Sequence, residues 1–268
     1  MRALLRRLVA RRGPQALAAK PAVAGMMLDP PLPTIYAVGD VHGRLDLFRA
    51  MEAQIAADAA PGAKLIVLLG DIIDRGPDSA GMIDHLLAPA PAGTTRLCLL
   101  GNHEDMALQF LRDPDPRADW LVHGGAEMLA SYGIARDIAA LHALSRRALA
   151  MRIAAHIPQD HLDFLAALPL YLHAGPHYLC HAGVDPAQPL DQQNRRTLLW
   201  SRRFADPESP PPRGLAPGGL VVQGHMPIEA PALRDWRINV DTGAYMTGRL
   251  SAVRLVQGLA PVFLSEGG

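Results

Sequence analysis

Five short polar clusters in this chain carry the donor types of a divalent-metal site. Asp40 and His42 stand in Gly39-Asp40-Val41-His42-Gly43, and Asp71, Asp74 and Arg75 in Gly70-Asp71-Ile72-Ile73-Asp74-Arg75-Gly76. Asn102, His103 and Glu104 follow Gly101, and single histidines come later, His181 before Ala182-Gly183 and His225 after Gly224. Carboxylate, amide and imidazole donors suit manganese, iron or zinc. Any one of these clusters alone reads as a surface turn or a hydrogen-bonded core residue. Their order and spacing point to a metal centre.

The elements that must position them follow from that spacing. Asp40 to Asp71 is 71 − 40 = 31 residues and Asp71 to Asn102 is 102 − 71 = 31. A strand, a crossover helix and the next parallel strand take roughly 30. An apolar run precedes each cluster: Thr34–Val38, then residues 65–69, then 97–100. Such runs read as buried parallel strands, whose carboxyl ends are where open α/β sheets place ligands. Helices are expected over Leu45–Ala57, over residues 78–87 with Pro77 in the first turn, and from His103 to about residue 111. Residues 120–168 read as a helical, Ala-rich insertion over the strand ends, shaping access to them. Past residue 170 the texture changes to short strands at 170–173, 178–180, 220–223, 237–240, 250–255 and 261–264, with an irregular proline-rich loop at 206–214. The two textures together predict an α/β fold of two packed mixed β-sheets flanked by helices. The expected boundaries are a basic, disordered leader over residues 1–33 and one domain over 34–268.

Composition narrows the partners. The formal net charge is zero, which gives no electrostatic reason to expect nucleic acid. No apolar stretch approaches the roughly 20 residues of a membrane span, so no stable membrane insertion is expected. The leader carries Arg2, Arg6, Arg7, Arg11, Arg12 and Lys20 with no acid before Asp29, and its arginines interrupt any signal-peptide core. Cys98 and Cys180 lie in apolar, strand-like runs, which suggests inert core thiols and a reduced, cytoplasmic setting.

The ordered motifs Asp40-x-His42, Gly70-Asp71-x-x-Asp74-Arg75-Gly76, Gly101-Asn102-His103-Glu104, His181-Ala182-Gly183 and Gly224-His225 resemble the signature of calcineurin-like metallophosphoesterases. More narrowly they resemble the bacterial and phage-type branch of the phosphoprotein phosphatase family, as do Leu199-Trp200-Ser201-Arg202 and Val240-Asp241-Thr242-Gly243-Ala244. The resemblance runs from about Thr34 to the end. It implies an αββα sandwich and two divalent ions, manganese by choice, with iron or zinc as alternatives. It places Asp40 and His42 on one ion and Asn102, His181 and His225 on the other, with Asp71 bridging. A hydroxide held between the ions would attack phosphorus in line. His103 would protonate the leaving group with Asp74 orienting it, Arg75 and Arg202 would contact phosphate, and Glu104 would support the helix start.

The implied activity is a serine/threonine protein phosphatase acting on phosphorylated proteins or peptides. Symmetrical dinucleoside tetraphosphate hydrolases are the alternative on the same fold. Those relatives tend to lack the Asp of Asp-Arg-Gly and to carry Asp where this chain has Glu104, and neither departure occurs here. A non-catalytic scaffold has no use for His103 and Arg75 together. Aromatic content of 5% further favours a peptide over a dinucleotide, with Trp120 and Tyr132 in the insertion and Trp200 expected to buttress the Arg202 loop from the core.

Overall fold

Three parallel strands, β2 (Thr34–Val38), β3 (Lys64–Leu68) and β4 (Thr94–Cys98), lie side by side in a five-stranded sheet with β4 at its edge, Thr34 opposite Lys64 and Lys64 opposite Thr94. β10 (Arg249–Leu255) pairs antiparallel with β2, and β11 (Val262–Gly267) with β10, giving the order β11-β10-β2-β3-β4. The computed structural model describes residues 24–135, 137–206 and 209–268.

The crossovers are the helices that the spacing predicts. In α1 (Leu45–Ala57), Leu45, Leu47, Phe48, Met51 and Ile55 are buried, an apolar stripe at helical spacing that needs a sheet to cover it. The Lys64 ammonium closes its carboxyl end, donating to the carbonyls of Ile55, Ala56 and Asp58, where a cation also suits the helix dipole. Asp78 caps α2 (Ser79–Leu87) by accepting from the Gly81 amide at 2.8 Å. Helix α3 (Asn102–Arg112) starts one residue earlier than expected.

The second sheet has six strands in the order β1-β5-β6-β7-β9-β8. They are β1 (Gly25–Leu28), β5 (Tyr171–Ala174), β6 (His177–Cys180), β7 (Val221–Gln223), β8 (Ala232–Arg234) and β9 (Arg237–Asn239). Alternate residues of the two sheets meet: Ile35, Ala37 and Val67 pack with Leu172, Leu179, Val222 and Ile238. The opposite face of the first sheet, with Tyr36, Val38, Ile66 and Leu68, packs on α1, α2 and the insertion. The result is two mixed sheets flanked by helices, as predicted. The insertion is a 3₁₀ turn (Asp119–His123) followed by α4 (Gly125–Ser131), α5 (Ile138–His142), α6 (Arg146–His156) and α7 (Gln159–Ala166).

One boundary needs correction. β1 lies inside the expected leader, yet it pairs in parallel with β5, Met26 opposite Leu172, and contributes Met26 and Leu28 to the core between the sheets. The domain therefore begins no later than Gly25, and the basic run from Arg2 to Lys20 lies outside the described residues. Among the described residues, no helix is long and apolar enough to cross a membrane.

Candidate metal centre and adjoining groove

The turns after β2, β3 and β4 brace one another. The amides of Val41 and His42 both donate to the Asp71 carbonyl, at 3.2 and 2.8 Å. The buried Glu104 carboxylate accepts from the amides of Asp71 and Ile72 at 2.8 Å, Ile73 at 3.2 Å and Gly101 at 2.8 Å. These bonds hold a strained backbone. His42, Asp71, Asp74, Arg75 and His225 all have positive φ, between 46° and 71°, a region that costs L-residues energy and concentrates at functional sites. Two glycines let the turns touch. A Cβ on Gly70 would meet the Gly101 amide nitrogen at 2.5 Å, and a Cβ on Gly101 would meet the Asp71 carboxylate and amide.

Side chains converge on Asp71. His42 donates through Nδ1 to the Ile73 carbonyl (2.8 Å) and His181 through Nδ1 to the Leu69 carbonyl (3.1 Å). Each therefore turns an Nε2 lone pair toward Asp71 Oδ2, at 3.6 and 3.5 Å. His181 Nε2 also lies 2.8 Å from Asn102 Oδ1 and 3.2 Å from His225 Nδ1. Two groups of donors result, His42–Asp71–His103 and Asp71–His181–His225, with Asp71 common to both. His103 lies close to the other members of the first group while its Nδ1 is engaged by Asp74. The Asp40 oxygens accept the His225 amide at 3.1 and 3.2 Å, directly beside the cluster.

These residues fit divalent ions. Asn102 Oδ1 and His181 Nε2 present lone pairs to each other, an arrangement that a shared cation would make favourable. Ligand atoms about 2.1 Å from one ion, at right angles, stand about 3 Å apart, close to the separations here. Buried His225 Nε2 has no hydrogen-bond partner among the described residues. Burial pushes the His42 and His225 pKa values down to about 3 and lowers that of His181, keeping the neutral imidazoles that metal binding requires. Burial also raises Asp40, and the neighbouring Asp241 and Asp71 carboxylates raise it further. For Asp71 the upward push of burial is outweighed by His181, His103 and His42, so it lies below the usual range. Burial lifts Asp241 to about 7. Three carboxylates crowded in a dry site call for positive charge.

Beside these groups, and equally buried, His103 Nδ1 donates to Asp74 Oδ2 at 2.7 Å. Burial lowers the His103 pKa, but Asp71 and Asp74 overcome this and raise it. Arg75 donates to His42 Nε2 at 3.0 Å, and its guanidinium carbon lies 4.6 Å from the Tyr245 ring centre. Nine of the ten expected site residues thus come together. Arg202 does not join them: it lines an open groove of about 740 Å³ beside the cluster, with Arg195, Arg196, Arg203 and Trp200. Arg195 is paired with Asp105 at 2.6 Å and Arg203 with Asp185 at 3.2 Å.

The expected place of Trp200 was wrong. Its indole is 42% exposed and stands edge-on to His225, 6.1 Å between centroids, because the short helix α8 (Arg195–Trp200) buries Leu198 and Leu199 and ends at the tryptophan. Sequence reading also gave no site role to Asp241 or Tyr245, and weighed Trp120 only as an aromatic surface of the insertion that a nucleobase could use. The Asp241 motif was visible, but only the contact of Gly39 with the Val240 carbonyl, which leaves 2.6 Å for a Cβ, brings it beside Asp40. Both cysteines are buried, and burial pushes the Cys180 thiol up to about 12, consistent with inert core.

The family model for calcineurin-like phosphoesterases matches residues 33–248. The chain belongs to this family and is a metallophosphoesterase, a metal-dependent phosphoester hydrolase. The asymmetrical bis(5'-nucleosyl)-tetraphosphatase PrpE of Bacillus thuringiensis is 26% identical over 235 residues, covering 81% of this chain and 88% of that protein. Its counterpart in Geobacillus thermodenitrificans is 24% identical over 234 residues, with the same coverage. Among solved structures, a protein proposed to be a diadenosine tetraphosphatase superposes with a TM-score of 0.62 at 21% identity, covering 92% of this chain and 99% of that one. A yeast protein serine/threonine phosphatase superposes with a TM-score of 0.53 at 14% identity, covering 91% and 83%. The structural likenesses show the fold.

Proposed function

We propose that this metallophosphoesterase hydrolyses dinucleoside polyphosphates. The observation that carries this reading is the exposed Trp200 indole beside His225, at the wall of an arginine-lined groove that opens next to the donor cluster. A dinucleoside tetraphosphate presents a chain of anionic phosphates ending in flat bases. Guanidinium forks match phosphate oxygens, and stacking of one base on an aromatic side chain is worth about 1–3 kcal/mol. The names of the relatives that match along most of their length support the same substrate class. This reverses the preference drawn from the sequence, which rested on Asp74 and Glu104 standing at their motif positions and on few aromatic residues, with Trp200 expected in the core, and it takes an asymmetrical rather than a symmetrical hydrolase as the model for cleavage.

The chain's own groups have clear tasks in this reading. Asp40, His42, Asp71, Asn102, His181 and His225 would hold the ions, manganese by family resemblance. When bound, such ions neutralise phosphoryl oxygens and lower the pKa of water. Arg75, held against Tyr245, grips a phosphoryl oxygen. His103, with Nδ1 fixed by Asp74, offers the proton on Nε2 to the leaving oxygen. Arg202 and Arg196 take the phosphates that extend into the groove. A second reading, phosphoserine or phosphothreonine peptides, is favoured by the Asp74–His103 pair itself. An alkoxide leaving group needs a proton far more than a nucleoside phosphate does.

The deciding experiment assays diadenosine tetraphosphate and a phosphoserine peptide side by side with one manganese-loaded preparation. The expected result is a higher kcat/KM on the dinucleotide, and separation of AMP plus ATP from ADP reads the position of cleavage. A clear preference for the peptide would reject the dinucleotide reading and leave the metal centre intact.

A further inference from the structure

Trp120 comes from the insertion, outside every motif that supplies the donor cluster, yet its indole reaches the centre of the site. Its Nε1–H donates to Asp74 Oδ2 at 2.7 Å, the same oxygen that takes the His103 Nδ1 proton at 2.7 Å. Asp74 is fully buried, and its other oxygen, Oδ1, has no partner among the described residues. Both N–H groups therefore load one oxygen. A carboxylate turns readily about its last bond, and one donor would move with it. A second donor from a different element stops that rotation and fixes the plane in which the His103 ring must lie.

Trp120 is itself fixed from two sides. Its ring packs on Phe110 at 4.7 Å between centroids, and a Cβ on Gly125 would come within 2.4 Å of the indole, so that residue has to be glycine for the ring to fit. Phe110 lies 110 − 103 = 7 residues after His103 on α3, two turns along the same face. The following residues hold Arg75: the Gly124 carbonyl accepts its amide at 3.2 Å and the His123 carbonyl its Nε at 3.4 Å. One short segment of the insertion thus grips both residues of the strained Asp74-Arg75 turn.

We infer that Trp120 is a positioning residue for proton donation: its indole N–H locks Asp74 and through it the orientation of His103. The inference rests on the reading of His103 as the proton donor, so His103→Asn serves as the control. The test substrates are aryl phosphates graded in leaving-group acidity, together with an alkyl phosphate. Trp120→Phe keeps an aromatic ring against Phe110 and removes the N–H. Replacing Trp120 with a benzothienylalanine, which keeps the bicyclic shape and also lacks the N–H, covers the case in which the phenylalanine variant packs poorly.

The expected result is a steeper dependence on leaving group in both variants. The ratio of kcat on nitrophenyl phosphate to kcat on the alkyl phosphate should rise about tenfold, within the 10–100-fold that supporting residues around a metal site are worth. KM and bound metal should stay near the parent values. Equal loss on all substrates would mean that Trp120 only packs, and an unchanged ratio with unchanged rates would mean that the hydrogen bond has no catalytic consequence. Either overturns the inference. If His103→Asn itself shows no leaving-group dependence, the proton-donor reading falls and the Trp120 role falls with it.

Discussion

The five-stranded sheet delivers Asp40, His42, Asp71, Asn102 and His103 from consecutive strand-to-helix turns, whereas His181, His225 and Trp200 arrive from the six-stranded sheet across longer connections. The first set is cross-braced by backbone bonds and by the Glu104 carboxylate, and it carries two of the three crowded buried carboxylates, Asp40 and Asp71. The second set contributes neutral imidazoles and meets the first mainly through side chains, His181 with the Leu69 carbonyl, Asn102 and Asp71, and through the His225 amide on Asp40. In the proposed function the tightly braced half would fix where phosphorus is attacked. The looser half carries the groove, which in the proposed function would choose what is attached to that phosphorus.

The largest expected effect is in the braced half. Asp71→Asn removes a charged oxygen from the residue common to both donor groups. Turnover should fall by at least the roughly 10²–10³-fold that one well-placed electrostatic group is worth, and elemental analysis after gel filtration should show reduced metal. Full metal content with near-parent activity would break the assignment of Asp71 as the shared ligand. Glu104→Gln comes next. It presents an amide N–H₂ to backbone donors that now face carboxylate oxygens, and about a 10–100-fold loss in kcat is expected, readable by steady-state assay.

The groove half should respond in selectivity rather than in chemistry. For Trp200→Ala, the ratio of kcat/KM on diadenosine tetraphosphate to that on nitrophenyl phosphate should fall about tenfold, the equivalent of about 1.4 kcal/mol of lost stacking. An equal fall on both substrates would place Trp200 in support of His225 instead, and would blur the division between the halves.

The smallest effect on catalysis concerns the scaffold beneath the braced half. Buried Glu52 pairs with Arg96 at 2.7 Å and with His85 at 2.8 Å. Burial pushes its pKa up, but these partners prevail and hold it below the ordinary value. A carboxyl whose folded pKa is depressed adds stability above its unfolded pKa and loses it as pH falls through the folded one. Glu52→Gln should therefore cost about 3 kcal/mol near pH 7, the low end for a broken buried pair. Urea melts at falling pH should show the gap to the parent begin to close below the unfolded value of about 4.5 and disappear only once the pH passes below the depressed folded value, where the parent carboxyl is protonated too.

Much of the braced half was legible because each cluster follows its own strand at a spacing that only a repeated strand–helix unit explains. His181 and His225 were legible from their motifs, but their mutual placement depends on pairing between β6 and β7. Other parts depend on contacts that no local pattern records. Gly25–Leu28 is a strand only because β5 lies beside it, 171 − 25 = 146 residues further on. Trp200 continues a Leu-Leu run and so reads as core, until the helix proves to end beneath it. Tyr245 sits on the one-turn helix α9 (Ala244–Thr247), entered through Gly243 at φ 66°, and nothing in its neighbours announces Arg75 across the site.

The mutual contact of Gly70 and Gly101 has a consequence for how such sites can drift over time. Metal donors are interchangeable in kind, since an oxygen ligand can replace another and still hold an ion. The space between these two glycines is not, because neither tolerates even a methyl group while the other and Asp71 stay in place. Lineages that lose the chemistry are then expected to keep this pair longer than the donors, for as long as the sheet still folds. On that expectation, a glycine pair 101 − 70 = 31 residues apart would outlast the donors in an inactive descendant.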